Sequence, residues 1–216
     1  MNTKKIRRLM NKYGIQTKVR KKNPYKEIMK KTQDHTTCAN ILNRNFKQKQ
    51  PHTMLCTDIT YLYYGRCEKA YLSAVKDIST GEIVAYNVAR HLTMPIVIDT
   101  INKLKKNIGL ENVVIHSDQG FHYTNPEYRM LLKSNNVIQS MSRKGNCIDN
   151  APMESFFGHF KDELNYKDCK TFDELVEKID KYMYYYNNER YQWHRNKMTP
   201  VQYRSHLLLA SWTILF

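Results

Sequence analysis

Apolar positions change their spacing several times along this chain. Ile6, Leu9, Met10 and Tyr13 recur at i, i+3, i+4 and i+7, with Gly14 after them. That spacing predicts a short amphipathic helix with Arg and Lys on its polar face. Residues 16–50 are polar and weakly periodic. Ala39, Ile41, Leu42 and Phe46 supply one small apolar patch, so a linker with one or two marginal helices is expected. At Pro51 the texture changes. Residues 53–64, 70–77 and 83–89 are rich in β-branched and aromatic side chains, and Ser79-Thr80-Gly81 marks a turn between the last two. Three antiparallel strands are expected there.

Helical periodicity returns over 93–108 (Ile96, Val97, Thr100, Ile101, Leu104) and stops before Gly109. Residues 113–116 are almost wholly apolar, as a strand buried on both faces would be. Asn125-Pro126 opens a helix through Leu132, and 137–141 reads as the next strand. A loop over 142–148 contains Gly145. Asn150 is placed to cap a helix with Pro152 in its first turn, running to about residue 165. Residues 173–188 predict a long last helix loaded with tyrosine. Three strands followed by alternating helices and strands describe an α/β domain of about 150 residues.

Composition locates the charge. The 216 residues carry 35 Lys+Arg against 20 Asp+Glu, a net charge of +15. Residues 1–50 hold 15 of the basic groups and only two acids, Glu27 and Asp34, so a basic arm precedes a nearly neutral body. Such an arm suits a polyanion, because each Lys or Arg that neutralises a phosphate releases condensed counterions. A solvated tail that merely aids solubility is the plainer alternative. No apolar run is long enough to span a bilayer and no export signal opens the chain, so a cytoplasmic protein without membrane contact is expected. The five cysteines form no C-x-x-C pair. His35-x-x-Cys38 and His52-x-x-x-Cys56 imitate ligand spacing, but Cys56 falls inside a predicted strand and Pro51 precedes His52. Reduced thiols are the expectation rather than a zinc site.

Three acids stand in costly places. Asp58 lies mid-strand in Cys56-Thr57-Asp58-Ile59-Thr60-Tyr61, Asp118 lies just past the buried strand in His116-Ser117-Asp118-Gln119-Gly120, and Glu154 lies in the first turns of the helix after Asn150. Taken singly, a strand-end Asp caps a turn and a helix-N-terminal Glu favours the macrodipole. Taken together on one α/β topology, they would form a compact all-oxygen cage suited to hard Mg²⁺ or Mn²⁺. Two such ions about 4 Å apart can activate the attacking oxygen and stabilise the leaving oxygen of a phosphoryl displacement.

Asp118 and Glu154 leave 35 residues between them, behind the strand Thr57-Asp58-Ile59-Thr60-Tyr61-Leu62. This pattern resembles the D,D-35-E signature of retroviral integrases and bacterial insertion-sequence transposases. The words around it, at 116–123, 145–157, Tyr186-Asn187-Asn188-Glu189-Arg190 and Thr199-Pro200, resemble the catalytic product of the two-frame insertion sequences. The similarity runs from about residue 5 to residue 206. It departs at Leu55, where relatives often carry an aromatic residue, and at the apolar end 207–216.

The resemblance implies a ribonuclease-H-like core, a mixed five-stranded sheet flanked by helices, preceded by a basic helical arm. It divides the chain into a DNA-binding arm and linker at 1–50, a catalytic core at 51–206 and an apolar tail at 207–216. It implies a polynucleotidyl transferase: water attacks a phosphodiester at an element end, and the freed 3′-hydroxyl attacks another strand. Asp58, Asp118 and Glu154 would be both catalytic residues and ligands of two Mg²⁺ or Mn²⁺ ions. Double-stranded DNA, further copies of the chain and a helix-turn-helix protein from an upstream frame are the implied partners, in the bacterial nucleoid. The recognition helices are expected to lie outside this chain.

Other residues fit around that reading. Lys161 stands two helical turns after Glu154, so both project from one face, where a cation can hold a phosphate. Arg143 and Lys144, in the loop with Gly145 and Asn146, are candidates to close on DNA, and Lys4, Lys5, Arg7, Arg8, Lys21 and Lys22 of the arm to grip it. His116, Gln119 and His122 flank Asp118, to support a carboxylate or serve only the loop. Tyr182, Tyr184, Tyr185, Tyr186, Tyr191 and Trp193 could stack bases, with core packing favoured for the run. Two further readings remain: a non-catalytic DNA-binding product that inhibits transposition, and a structure-selective nuclease of the ribonuclease H kind, which the basic arm and the acid spacing disfavour.

Overall fold

The computed structural model describes residues 2–15 and 37–213. The chain forms two compact units, 1–35 and 36–216. Within the first, helix α1 (Thr3–Lys12) starts at Asn2, whose side chain accepts from the Lys4 amide at 3.0 Å. It buries none of its residues, and Lys4, Lys5, Arg7 and Arg8 are exposed. Lys21 and Lys22 lie outside the described residues.

The second unit is a three-layer α/β structure. Strands β1 (Met54–Tyr64), β2 (Glu68–Asp77) and β3 (Ile83–Ala89) form an antiparallel meander, and β4 (Val114–Ser117) and β5 (Ile138–Met141) extend it in parallel, giving the order β3-β2-β1-β4-β5. Helices α2 (Pro95–Ile108), α3 (Phe121–Thr124) and α4 (Pro126–Ser134) carry the chain to and from β4. Helices α5 (Ala151–Glu163), α6 (Phe172–Asn188) and α7 (Pro200–Thr213) complete it.

Alternation along the strands feeds two cores. On one face Leu62, Leu72 and Ala74 pack with Met153, Phe156 and Phe160 of α5 and Leu175, Ile179 and Met183 of α6. On the other, Leu55, Val75 and Ile115 pack with Ile96, Ile101 and Leu104 of α2 and Tyr128 and Leu132 of α4. Both exposed strand edges are covered by polar groups. Asn187 bonds the amide and carbonyl of Ile83 at 2.9 Å each, and Asn107 donates to the Val84 carbonyl at 2.7 Å. Along β5, the Met141 amide donates to the Ala39 carbonyl and Ser140 Oγ accepts from the Ile41 amide.

The structure departs from the sequence reading in three places. Residues 37–50, grouped by charge with the arm, pack on the second unit, and Leu42 is buried in its core. Residues 200–213 form a helix with Pro200 at its start, so the apolar stretch from Leu207 to Thr213 continues that helix. Asn150 makes no side-chain cap for α5; its Nδ2 donates to the Thr57 carbonyl instead. Among the described residues no helix is long and apolar enough to cross a membrane.

Candidate active site

Register places the first two acids. The parallel ladder between β1 and β4 ends at the pair Cys56↔His116. Two residues further along stand Asp58, within β1, and Asp118, just past the end of β4, at equivalent positions where the strands part. Asp118 leaves β4 into a turn in which its Oδ1 accepts the Gly120 amide at 2.8 Å. A Cβ at residue 120 would stand 2.8 Å from that same oxygen, so glycine here is a matter of space beside the carboxylate. Asp58 Oδ1 accepts the amide of Ile59 at 2.7 Å.

Glu154 comes from the first turn of α5, where a carboxylate is favoured by the helix dipole. Two buried contacts seat that turn over the strands. Asn150 reaches the Thr57 carbonyl at 3.3 Å, and Lys76 of β2 donates to the Pro152 carbonyl at 3.2 Å. The Lys76 ammonium also stands 5.7 Å from the Phe156 ring centre and 5.9 Å from that of Tyr186. Asp58, Asp118 and Glu154 thereby line one cleft of about 530 Å³, together with Gln119, Gly120, Ser142, Arg143, Lys144, Gly145, Asn146 and Asn150.

Asp58 is the perturbed member of the three. Burial, then the charges of Asp118 and Glu154, push the Asp58 carboxyl up to about 7; the Ile59 amide and Lys161 oppose this. Among the described residues no three of Asp, Glu, His and Cys stand close enough to hold one ion together. Lys161 senses Asp58 and lies 5.0 Å from the Tyr61 ring centre, its amine pushed down by burial.

A fourth acid, Asp149, organises the rim. Its carboxylate is fully buried and accepts five hydrogen bonds. Arg44 Nε and Arg143 Nη2 donate to Oδ1 at 2.6 and 2.9 Å; the Arg143 amide, Arg143 Nε and Asn40 Nδ2 donate to Oδ2 at 3.0 Å each. These bonds hold its carboxyl far below the usual range. One residue thus fastens the 142–148 loop, the turn into α5 and the segment after the arm. Sequence reasoning missed it, as it missed Lys76 and the tether made by Asn150. A Lys within the apolar β2 run and an Asp directly before the helix start were the available signals.

The other expected supports divide. Gln119 lines the cleft and donates to the Ser142 carbonyl at 3.0 Å. His116 does not reach a carboxylate of the cleft. Its ring nitrogens pair with Ser140 Oγ at 2.8 Å and Ser142 Oγ at 3.0 Å, and burial pushes the imidazole down to about 4. His122 is buried and also pushed down by burial, with the Asp118 charge opposing. Of the tyrosine run, Tyr182 and Tyr186 are core, while Tyr184, Tyr185, Tyr191 and Trp193 are exposed.

Comparison with known proteins places this geometry. The Integrase core domain family matches residues 48–147, and a second Integrase core domain family matches 154–208. A transposase-like protein of Haemophilus influenzae is 37% identical over 213 residues, covering 96% of this chain and 95% of that protein. The transposase for insertion sequence element IS904 of Lactococcus lactis is 32% identical over 192 residues, covering 88% and 75%. Among solved structures, the HTLV-2 integrase catalytic core domain in complex with magnesium superposes with a TM-score of 0.57 at 19% identity, covering 71% of this chain and 96% of that one. A simian T-cell lymphotropic virus intasome chain gives 0.60 at 16% identity, covering 79% and 59%. These likenesses identify the fold as ribonuclease-H-like.

Two outcomes follow from the electrostatics. The raised Asp58 carboxyl holds its proton more tightly folded than unfolded, so it withdraws stability as pH rises from about 4 to 7. In EDTA, thermal melts of wild type should therefore lose ground to Asp58→Asn across that window; parallel curves would refute the coupling. Asp149 is the reverse case, its contribution present above about pH 4 and lost as pH falls below it. Asp149→Ala should cost about 2–3 kcal/mol in urea unfolding at pH 7, since it removes a buried acceptor of five hydrogen bonds while both guanidiniums can turn to solvent, and Arg143→Ala clearly less because Arg44 and Asn40 remain.

Proposed function

The chain belongs to the integrase-core family of insertion-sequence transposases, and from that premise we propose that it cleaves and joins DNA at the ends of an insertion element, with Asp58, Asp118 and Glu154 as its catalytic residues. The observation that carries this reading is the meeting of those three carboxylates, from β1, β4 and α5, in one cleft.

The donor set fits Mg²⁺ or Mn²⁺. All three ligands are hard oxygens; burial, and after it the charges of Asp118 and Glu154, raise the Asp58 carboxyl, and a cation between them would offset both. Two ions held there would supply activation of the attacking oxygen and stabilisation of the leaving oxygen. The structural neighbour with magnesium accords with that choice.

The remaining roles belong to the chain's own groups. Lys161, beside Asp58, holds a DNA phosphate against the carboxylates. Arg143 and Lys144 on the cleft rim close over the strand, and Asp149 keeps their loop at the right height. Gln119 fixes the loop from below, and His122 packs behind Asp118. Water attacks the phosphodiester at the element end; the freed 3′-hydroxyl then attacks a second strand. No covalent enzyme intermediate is required. Lys4, Lys5, Arg7 and Arg8 on the exposed face of α1 grip double-stranded DNA, as do Lys21 and Lys22. The working unit on DNA is a multimer of this chain, with a helix-turn-helix protein from an upstream frame as a further partner. Its place is the cytoplasm, at the nucleoid.

Two experiments test the proposal. On labelled element ends with Mg²⁺ or Mn²⁺, wild type should nick and join. Asp118→Asn should lose about 10³-fold in both steps, and Gly120→Ala, which crowds the Asp118 carboxylate without straining the backbone, about 10–100-fold at an unchanged Tm. Activity persisting in Asp118→Asn would overturn the site; DNA binding by wild type and variant without chemistry in either would make the chain a binding regulator of transposition. Separately, removing residues 1–35 should flatten the dependence of log affinity on log salt by roughly one unit for each phosphate the arm had neutralised. An unchanged slope would move the DNA grip to the second unit.

A further inference from the structure

Beyond Asp58, strand β1 outlives its partner on one side. Its ladder with β4 ends at Cys56, while its pairing with β2 continues to Tyr64↔Glu68. The two strands therefore extend past the cleft as a ribbon. Within it Tyr61 pairs with Tyr71 and Tyr63 with Lys69, and residues two apart share a face. Three tyrosines and a lysine thus make the four corners of one patch. The Tyr61 and Tyr63 rings meet edge to face at 5.5 Å between centroids. The Lys69 ammonium stands 5.2 Å from the Tyr63 ring centre, 5.4 Å from Tyr61 and 6.0 Å from Tyr71.

Tyr61 and Tyr63 are 53% and 48% exposed, so neither core has claimed them. The patch is also joined to the cleft. Lys161 lies over Tyr61 at 5.0 Å and is the cation that Asp58 senses. Asp58, an odd number of residues from Tyr61 and Tyr63, leaves the opposite face of β1, and Lys161, which meets the Tyr61 ring and is sensed by Asp58, bridges the two faces. Along the strand Tyr61 is about 10 Å and Tyr63 about 17 Å from Asp58, roughly three to five steps of a DNA strand, at about 3.4 Å each, that passes round the β1 edge β4 leaves open beyond Cys56.

Ring faces interleaved with ammonium groups match the chemistry of single-stranded nucleic acid, whose bases stack while its phosphates pair. Bases inside a duplex already have both faces covered. We propose that the Tyr61, Tyr63, Tyr71 and Lys69 face is a stacking platform for unpaired bases of the DNA strand whose phosphate occupies the Asp58–Asp118–Glu154 cleft. This rests on the reading of that cleft as the site of DNA chemistry. The platform favours element ends whose last few pairs have opened, and it is tolerant of sequence because every base presents a π-face.

The probe is a synthetic element end, either fully paired or with three unpaired nucleotides beside the cleavage position and 2-aminopurine among them. Wild type should prefer the opened end and change the 2-aminopurine emission on binding. Tyr61→Ala with Tyr63→Ala should weaken binding to the opened end by about 10–100-fold and leave the paired end nearly unaffected. Tyr61→Phe with Tyr63→Phe should restore the preference, and Tyr63→Ala alone should give an intermediate loss. Equal losses on both ends, or no loss on either, would overturn the platform. So would unchanged binding with an altered oligomeric state in light scattering, which would make the patch an interface between copies. If wild type shows the tyrosine-dependent preference but neither nicks nor joins, the platform stands and the catalytic reading falls. If wild type nicks and joins while the alanine variants bind both ends as it does, the platform falls alone.

Discussion

Everything in the second unit hangs on the double pairing of β1. It is the one strand bonded antiparallel to β2 and parallel to β4, and the parallel ladder stops at Cys56↔His116. Where that ladder stops, backbone groups part and side chains gain room. Asp58, still within β1, and Asp118, just past β4, stand two residues beyond it. A slip of one residue in β1 would send Asp58 to the opposite face and Leu55 and Leu62 out of their cores. The hydrophobic packing of the two layers therefore sets the placement of the carboxylates, and the acids gain their closeness from apolar burial elsewhere.

Closeness has an electrostatic cost that the fold meets with cations at graded distance. Lys161 sits near enough for Asp58 to sense it, Arg143 and Lys144 stand on the cleft rim, and Lys76 holds the backbone of the α5 entry from beneath. Asp149 occupies the opposite situation. Its charge is fully matched by Arg44 and Arg143, so burial strengthens rather than frustrates it. The pairing is asymmetric in a useful way. Both guanidiniums are partly exposed while the carboxylate is closed off, so Arg143 can turn toward a phosphate without leaving Asp149 unpaired. One buried acid is matched by two guanidiniums and fixes the loop; of the three cleft acids Asp58 is half-buried and Asp118 and Glu154 are exposed.

The segment 37–45 also changes the meaning of the charge distribution. Composition sets it with the arm, yet Asn40 and Arg44 end on Asp149, and Ile41 and Leu42 on Ser140, whose hydroxyl also meets His116. The stretch that follows the basic arm is thereby fastened to the residue that holds the rim loop of the cleft. His116, two residues before Asp118, is buried between Ser140 and Ser142, and that burial pushes its imidazole down.

The order of elements, the ends of most strands and helices and the three acids that line the cleft were legible in the sequence, because each depends on local spacing or on a charge set against apolar neighbours. A charged residue inside an apolar strand declares itself, and a period of two or of 3.6 survives without knowledge of what it packs against. Asp149, Lys76, the diversion of Asn150 from cap to strand tether and the helix from Pro200 were not legible. Their distant partners lie 76 to 109 residues away or, for that helix, in tertiary packing that overrides a weak period. The tyrosines show the same division. Sequence supplied the aromatic density, but only tertiary structure decided that Tyr182 and Tyr186 fill the core while Tyr61 and Tyr63 face solvent. Burial is a property of the surface a residue meets, and the chain alone does not state where that surface will be.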